Sequence, residues 1–145
     1  MRFARQLEVF AAVSLTVAAL LANPAHAADG KGVTLELNKA VAANGGCLLT
    51  FVASNATGGA LPSAGFEFVL FDKDGLVDRM TVFDFGALPE EKTVVRQFQI
   101  PGGTCESIGS ILVNGASGCG GATAASPLCA APLSTASRTP ISFNK

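Results

Sequence analysis

The sequence predicts an all-β fold, a β-sandwich of about seven strands that is preceded by a cleavable signal helix. Short apolar or alternating segments recur along the chain, and turns rich in Gly, Pro, Asn and Asp separate them. Helical spacing is hard to find after residue 27, and only Cys105–Gly109 suggests one short helical turn. Many short strands between turns are typical of a sandwich.

Residues 1–27 have the pattern of an export signal. A basic start is followed by an apolar stretch over 9–22, by Pro24 and by the small-x-small sequence Ala25-His26-Ala27, which predicts cleavage between Ala27 and Ala28. The apolar stretch is too short to span a bilayer. We therefore expect a periplasmic or secreted protein, and processing removes the only histidine of the chain.

The processed chain, 28–145, has the size of one domain. The full sequence has a net charge of −1, and no basic patch offers a surface for phosphate backbones. We therefore expect no nucleic-acid partner. No later segment is long enough to insert into a membrane after processing.

The strands of the first half are predicted in order from their patterns. Residues Val33–Leu37 alternate between apolar and polar side chains, which indicates a strand with one buried face. A turn at 44–46 leads to a longer apolar run, Cys47–Ala53. The segment Phe66–Phe71 is apolar on both faces apart from Glu67, so we expect it inside a sheet.

The second half continues with a turn at Asp72–Gly75 and less regular strands. These strands are predicted at Val77–Phe85, Thr93–Ile100, Ser110–Asn114 and Ile141–Phe143. Residues 115–137 are dominated by Gly, Ala, Ser and Pro, which predicts a loop that a disulfide closes.

The four cysteines lie in the exported part, where an even number of thiols favours two disulfides. Three pairings are open, and we favour Cys47–Cys105 with Cys119–Cys129, since the first would join two apolar segments and the second would close the Gly/Ala loop. On the chain-entropy model they would contribute about 4 and about 3 kcal/mol. One pair left reduced is an alternative; zinc is another, although no CxxC spacing favours it.

The residue types argue against catalysis and against a cofactor. A serine nucleophile normally needs a neighbouring base, and the processed chain has no histidine. Redox exchange would use a CxxC motif, and copper binding would use several Met or His ligands, whereas Met80 is the one methionine left and is interpreted as strand packing. We expect a protein that is not an enzyme and holds no cofactor.

The acidic turn is the one candidate metal site. Asp72, Asp74 and Asp78 lie close together around Gly75 and could supply part of a calcium site. Asp and Gly are also ordinary residues of tight turns, and we favour this interpretation. A calcium-binding exported domain stays as the alternative function.

Several short motifs give the chain a resemblance to a known group of proteins. They are Asn55-x-Thr57-Gly58, Phe71-Asp72-x-Asp74-Gly75, a Leu88-Pro89 turn, the cysteine layout and an Ile-Leu-Val-Asn segment. Together they resemble uncharacterised small exported bacterial proteins with an immunoglobulin-like domain. The resemblance implies an immunoglobulin-like sandwich and a periplasmic location, and it implies no site residues.

These observations together predict a disulfide-stabilised protein-binding or structural module whose partner is another envelope protein. Edge strands of a sandwich can add a partner's strand. The eight phenylalanines after the signal are core candidates, and any exposed ones would suggest a protein partner. The sequence does not set the oligomeric state.

Overall fold

A computed structural model describes residues 31–120 and 127–145 of the chain. The signal peptide and its cleavage site at Ala27 and Ala28 lie outside these residues. The described residues form two four-stranded sheets that pack face to face as a β-sandwich. The all-β sandwich predicted from the sequence is thus confirmed.

Eight strands and two short 3₁₀ helices follow one another along the chain. In order they are β1 (Gly32–Ala43), β2 (Gly46–Ala56), β3 (Gly65–Asp72), β4 (Val77–Asp84), β5 (Thr93–Pro101), the helix Cys105–Ser107, β6 (Ile108–Ala116), the helix Pro127–Ala130, β7 (Leu133–Ser137) and β8 (Ser142–Asn144). The helical turn expected after Cys105 is present.

The strand order is β5-β2-β1-β7 in one sheet, the β2 sheet, and β4-β3-β6-β8 in the other, the β3 sheet. Strand β2 lies between β1 and β5, while β3 lies between β4 and β6, and all four of these pairs are antiparallel. Both sheets of an immunoglobulin sandwich are antiparallel, so these four pairs agree with that arrangement, while the parallel pairs of β7 and β8 depart from it. The apolar run Phe66–Phe71 therefore lies inside a sheet, as expected.

The last two strands extend each sheet in parallel. Strand β7 pairs with β1, and β8 pairs with β6. The prediction of a loop over 115–137 was wrong at its end, because β7 occupies Leu133–Ser137. The last strand was predicted from Ile141, whereas β8 begins at Ser142. Strand β7 has small polar residues without an apolar alternation, so only its pairing with the distant β1 reveals it.

Phenylalanines fill the space between the sheets. Phe51 of β2 lies at the centre, with ring centroids 5.7 Å from Phe68, 5.8 Å from Phe85 and 5.4 Å from Phe143. Aromatic pairs at such distances add to the stabilisation from burial. Of the eight candidates, Phe71 is the exception, because it lies half-buried on the outside of β3.

Two disulfides link the elements, and they are the favoured pairs Cys47–Cys105 and Cys119–Cys129. The first joins β2 to the helix before β6, so it connects the two sheets across 58 residues of sequence. The second spans 10 residues and ties the segment after β6 to the helix before β7. Among the residues that the structure describes, no cysteine is free.

Candidate functional site

The outer face of the β3 sheet presents apolar side chains to solvent. Strand pairing places Val69 opposite Met80 on one side and Leu112 on the other, and it places Phe71 opposite Val77. Their neighbours along the strands, Phe68 and Leu70 among them, point into the core. Six residues form this surface, which we call the apolar face: Val69, Phe71, Val77, Met80, Val82 and Leu112.

The exposure of the apolar face is unequal. Val77, Met80 and Val82 are 57%, 56% and 50% exposed, whereas Val69 is only 6% exposed because its neighbours on both adjacent strands cover it. The interpretation of Met80 as strand packing holds only in part, because Met80 covers Val69 while 56% of its own surface stays exposed. Alternation in β4 correctly separates two faces, but it does not say whether a second layer covers the outer one.

Two carboxylates border the apolar face at one end. Glu67 lies opposite Val82 across the strand pair, and Asp84 follows Val82 on the same face. The Asn114 amide donates to Glu67 Oε1 at 2.5 Å, and the Gly86 amide donates to Asp84 Oδ1 at 2.7 Å. In the strands of the β3 sheet as described, no outward position carries Lys or Arg, so the face is apolar and acidic.

The outer face of the β2 sheet is different in character. Its outward side chains are mainly polar. The apolar ones are Val95, which is 55% exposed and lies opposite the half-buried Val52, and the half-buried pair Val41 and Leu48. The outward positions include Thr34, Glu36, Thr50, Ser54, Thr93, Gln97 and Gln99. The outer face of the β3 sheet is therefore the more apolar of the two.

Glu36 on this polar face forms the ion pair that holds the chain after β7. The Arg138 Nε lies 2.7 Å from Glu36 Oε1. A hydrogen bond from Asn38, and then the bond from Arg138, lower the pKa of the Glu36 carboxyl. Because the pKa is lower in the folded state, the stabilisation is present above the unfolded value of about 4.3 and is lost as the pH falls through the folded value.

Two arginine side chains connect the sheets on the side of the sandwich where the edge strands β4 and β5 face each other. Arg79 Nη1 donates to the Pro101 carbonyl at 2.8 Å, and Arg96 Nε donates to the Phe85 carbonyl at 2.8 Å. Between them the rings of Phe83 and Phe98 stack at 4.3 Å. Inward-pointing charges on edge strands hinder the addition of another strand.

The acidic turn is built as a turn. Asp72 Oδ1 accepts hydrogen bonds from the Asp74 and Leu76 amides, both at 2.9 Å, and Gly75 has a φ of 79°. Asp78 instead pairs with Arg79 at 2.6 Å. Within 31–120 and 127–145, no group of three acidic, His or Cys side chains is arranged to hold a metal ion, so Asp72, Asp74 and Asp78 are not brought together as a calcium site.

Asn55 organises the loops at the end of β2. Its side chain is 1% exposed, and its amide donates to the Gly59 and Leu88 carbonyls, each at 2.8 Å. Its Oδ1 accepts from the Thr57 amide at 3.0 Å and from the Thr57 hydroxyl at 2.7 Å. The Asn55-x-Thr57 sequence is therefore a buried turn and not an exposed attachment site for a glycan.

The described surface also has three depressions, with volumes of about 550, 140 and 300 Å³. Lys73 and Glu106 are the ionisable side chains that line them, and both belong to the third, beside Cys105. The Glu106 backbone amide and the Thr104 hydroxyl lower the pKa of the Glu106 carboxyl. Lys73 lies in the turn between β3 and β4, two residues after Phe71.

Comparison with known proteins returns no family model, no curated protein and no solved structure that matches the chain significantly. In the described part of the chain, the helices are too short or too polar to cross a membrane. The apolar face is thus the candidate site on geometry alone. The sequence signal for this face is the run of apolar side chains on both faces of Phe66–Phe71, whereas the exposure of Val77, Met80 and Val82 was not predicted.

Proposed function

We propose that this protein is an exported, non-enzymatic module that binds another protein of the cell envelope through the apolar face. The observation that carries this proposal is the exposure of Val77, Met80 and Val82 together on one sheet. Large contiguous apolar patches are rare on monomeric proteins and usually mark interaction sites.

The shape of the surface favours a protein over a small molecule. Small ligands are bound in concave sites that bury most of their surface, whereas the apolar face lies on the outside of a sheet. A flat surface of this kind suits the apolar centre of a protein–protein contact. The acidic border of Glu67 and Asp84 repels anionic polymers.

Two disulfides support the exported location. Such bridges persist in oxidising compartments and are rare in the cytosol. The bridge between the sheets keeps the sandwich rigid, so the apolar face is presented in a fixed geometry. Pre-organisation of this kind reduces the entropy cost of binding.

Site-specific photo-crosslinking in intact cells tests the proposal. A photoreactive amino acid replaces Met80 on the apolar face or, as the control, Val95 on the polar face, because the two side chains have nearly equal exposure at 56% and 55%. We expect one reproducible envelope protein from position 80 and none from position 95. Equal or absent crosslinking at the two positions would refute the proposed function.

A further inference from the structure

We propose, on the basis of the protein-binding function above, that the segment which docks on the apolar face is cationic at one end and apolar along the rest. The acidic pair Glu67 and Asp84 borders the face at the end where Val82 lies, and the face continues through Met80 to Val77. A complementary segment therefore places Lys or Arg beside the two carboxylates and apolar side chains beyond them.

The carboxylates are positioned to receive such a group. Hydrogen bonds from the Asn114 side chain and the Gly86 amide each engage one oxygen, Oε1 of Glu67 and Oδ1 of Asp84. These bonds orient both side chains on a rigid sheet. A charged side chain that is held in place by a neighbour loses less entropy when it forms an ion pair.

A second copy of the chain offers these carboxylates little. In a symmetric contact centred on Met80, Glu67 and Asp84 of each copy would face the Val77 end of the other copy. The outward positions in the described strands of the β3 sheet supply no Lys or Arg to pair with them there. The carboxylates also repel anionic lipid and nucleic acid, which leaves a basic protein segment as the occupant.

Peptide titration of the processed protein, followed by NMR amide shifts, tests the inference. The probe is the acetylated peptide Lys-Lys-Ser-Val-Ser-Leu-Ser-Val, and its counterpart has Glu in place of both Lys. We expect the Lys peptide to shift the amides of Val69, Met80 and Leu112, and the Glu peptide to leave them unchanged. Vesicles of phosphatidylcholine and phosphatidylglycerol should not bind.

Charge-removing variants assign the effect to the two carboxylates. The double variant Glu67→Gln with Asp84→Asn removes both negative charges but keeps one acceptor oxygen on each side chain for the bonds from Asn114 and Gly86. We expect it to weaken binding of the Lys peptide about three- to tenfold. Glu90→Gln with Glu91→Gln removes the same charge from the exposed loop before β5 and should change the affinity less than about twofold.

The outcomes separate this inference from the proposed function. If both peptides bind the apolar face equally, or if the two double variants weaken binding equally, the cationic partner is refuted, while crosslinking at Met80 still supports protein binding. Vesicle binding, or a dimer that Met80→Ser disperses, also refutes the cationic segment. If Met80 crosslinks nothing, the proposed function itself fails.

Discussion

At the scale of single residues, the buried side chain of Asn55 connects two loops through its hydrogen bonds. Its amide and carbonyl groups bond to Thr57, Gly59 and Leu88, so they hold the loop after β2 against the loop before β5. The pair Leu61–Leu88 forms a β-bridge beside it. The buried Asn55 side chain and the backbone hydrogen bonds of this bridge together hold the loops before β3 and β5.

We expect Asn55→Ala to lower the free energy of unfolding by about 2–4 kcal/mol, because buried donors and acceptors lose their partners. Urea denaturation of the processed protein measures the change. Asn114→Ala is the control, since that amide is exposed and its loss should cost about 0.5 kcal/mol or less. Equal stability losses in the two variants would contradict the role of Asn55.

Residue chemistry also decides between the two interpretations of the acidic turn. Asp72 uses one carboxylate oxygen to bind two amides of its own turn, which is the usual behaviour of Asp at this position. The sequence alone favoured this interpretation, since the spacing Asp-x-Asp-Gly fits a turn with a positive φ at Gly75. It could not show that Asp78 pairs with Arg79 instead of facing Asp72.

At the scale of elements, the sandwich restricts access to its edge strands. Strands β7 and β8 are short, with five and three residues, and Arg79 and Arg96 bridge the side where β4 and β5 lie. Arg96 Nη1 also donates to the carbonyl of Val95 at 3.0 Å. We therefore expect partners to bind the apolar face in preference to adding a strand at an edge.

We expect Arg96→Ala to increase self-association, because the edge of β5 loses the side chain that binds the Val95 and Phe85 carbonyls. Light scattering during incubation at a fixed protein concentration measures this effect. Lys39→Ala removes an equal charge from an exposed position on the polar face and should aggregate no faster than the wild-type protein. If the two variants behave alike, the arginine does not protect the edge.

The strands differ in how well their bounds could be predicted from the sequence. Strands β3, β4 and β5 were predicted to within one residue at each end, because turn residues mark their limits, whereas β1 was predicted only as far as Leu37 and continues to Ala43. Strand β7 was missed, since its residues Leu133–Ser137 contain mostly small polar side chains. Its backbone is held by parallel pairing with β1, a contact between segments about 100 residues apart.

At the scale of the whole molecule, the disulfide between Cys47 and Cys105 joins the two sheets at one end of the phenylalanine core. Cys47 is fully buried, and its Cα lies 4.9 Å from that of Cys105. The second bridge spans only 10 residues and joins the buried Cys119 to the half-buried Cys129. The two bridges therefore constrain very different lengths of unfolded chain.

We expect Cys47→Ala with Cys105→Ala to lower the free energy of unfolding by about 4 kcal/mol, and Cys119→Ala with Cys129→Ala by about 3 kcal/mol. The longer loop loses more entropy on closure, and removal of the buried pair also disturbs the core. Urea denaturation of both double variants measures the ranking. A larger loss for the shorter loop, or free thiols in protein purified from the cell envelope, would contradict this account.

The sequence by itself determined the all-β sandwich, the core phenylalanines and the turn chemistry, because these follow from local apolar patterns and from the conformational preferences of Gly, Asp and Asn. Only the tertiary structure decided that the outer side of the β3 sheet stays uncovered. Val69 and Met80 belong to the consecutive strands β3 and β4, whereas Leu112 belongs to β6, much later in the sequence. Strand order and register bring the three side chains into one surface. An apolar residue in a strand has the same local pattern whether a second layer covers it or water does.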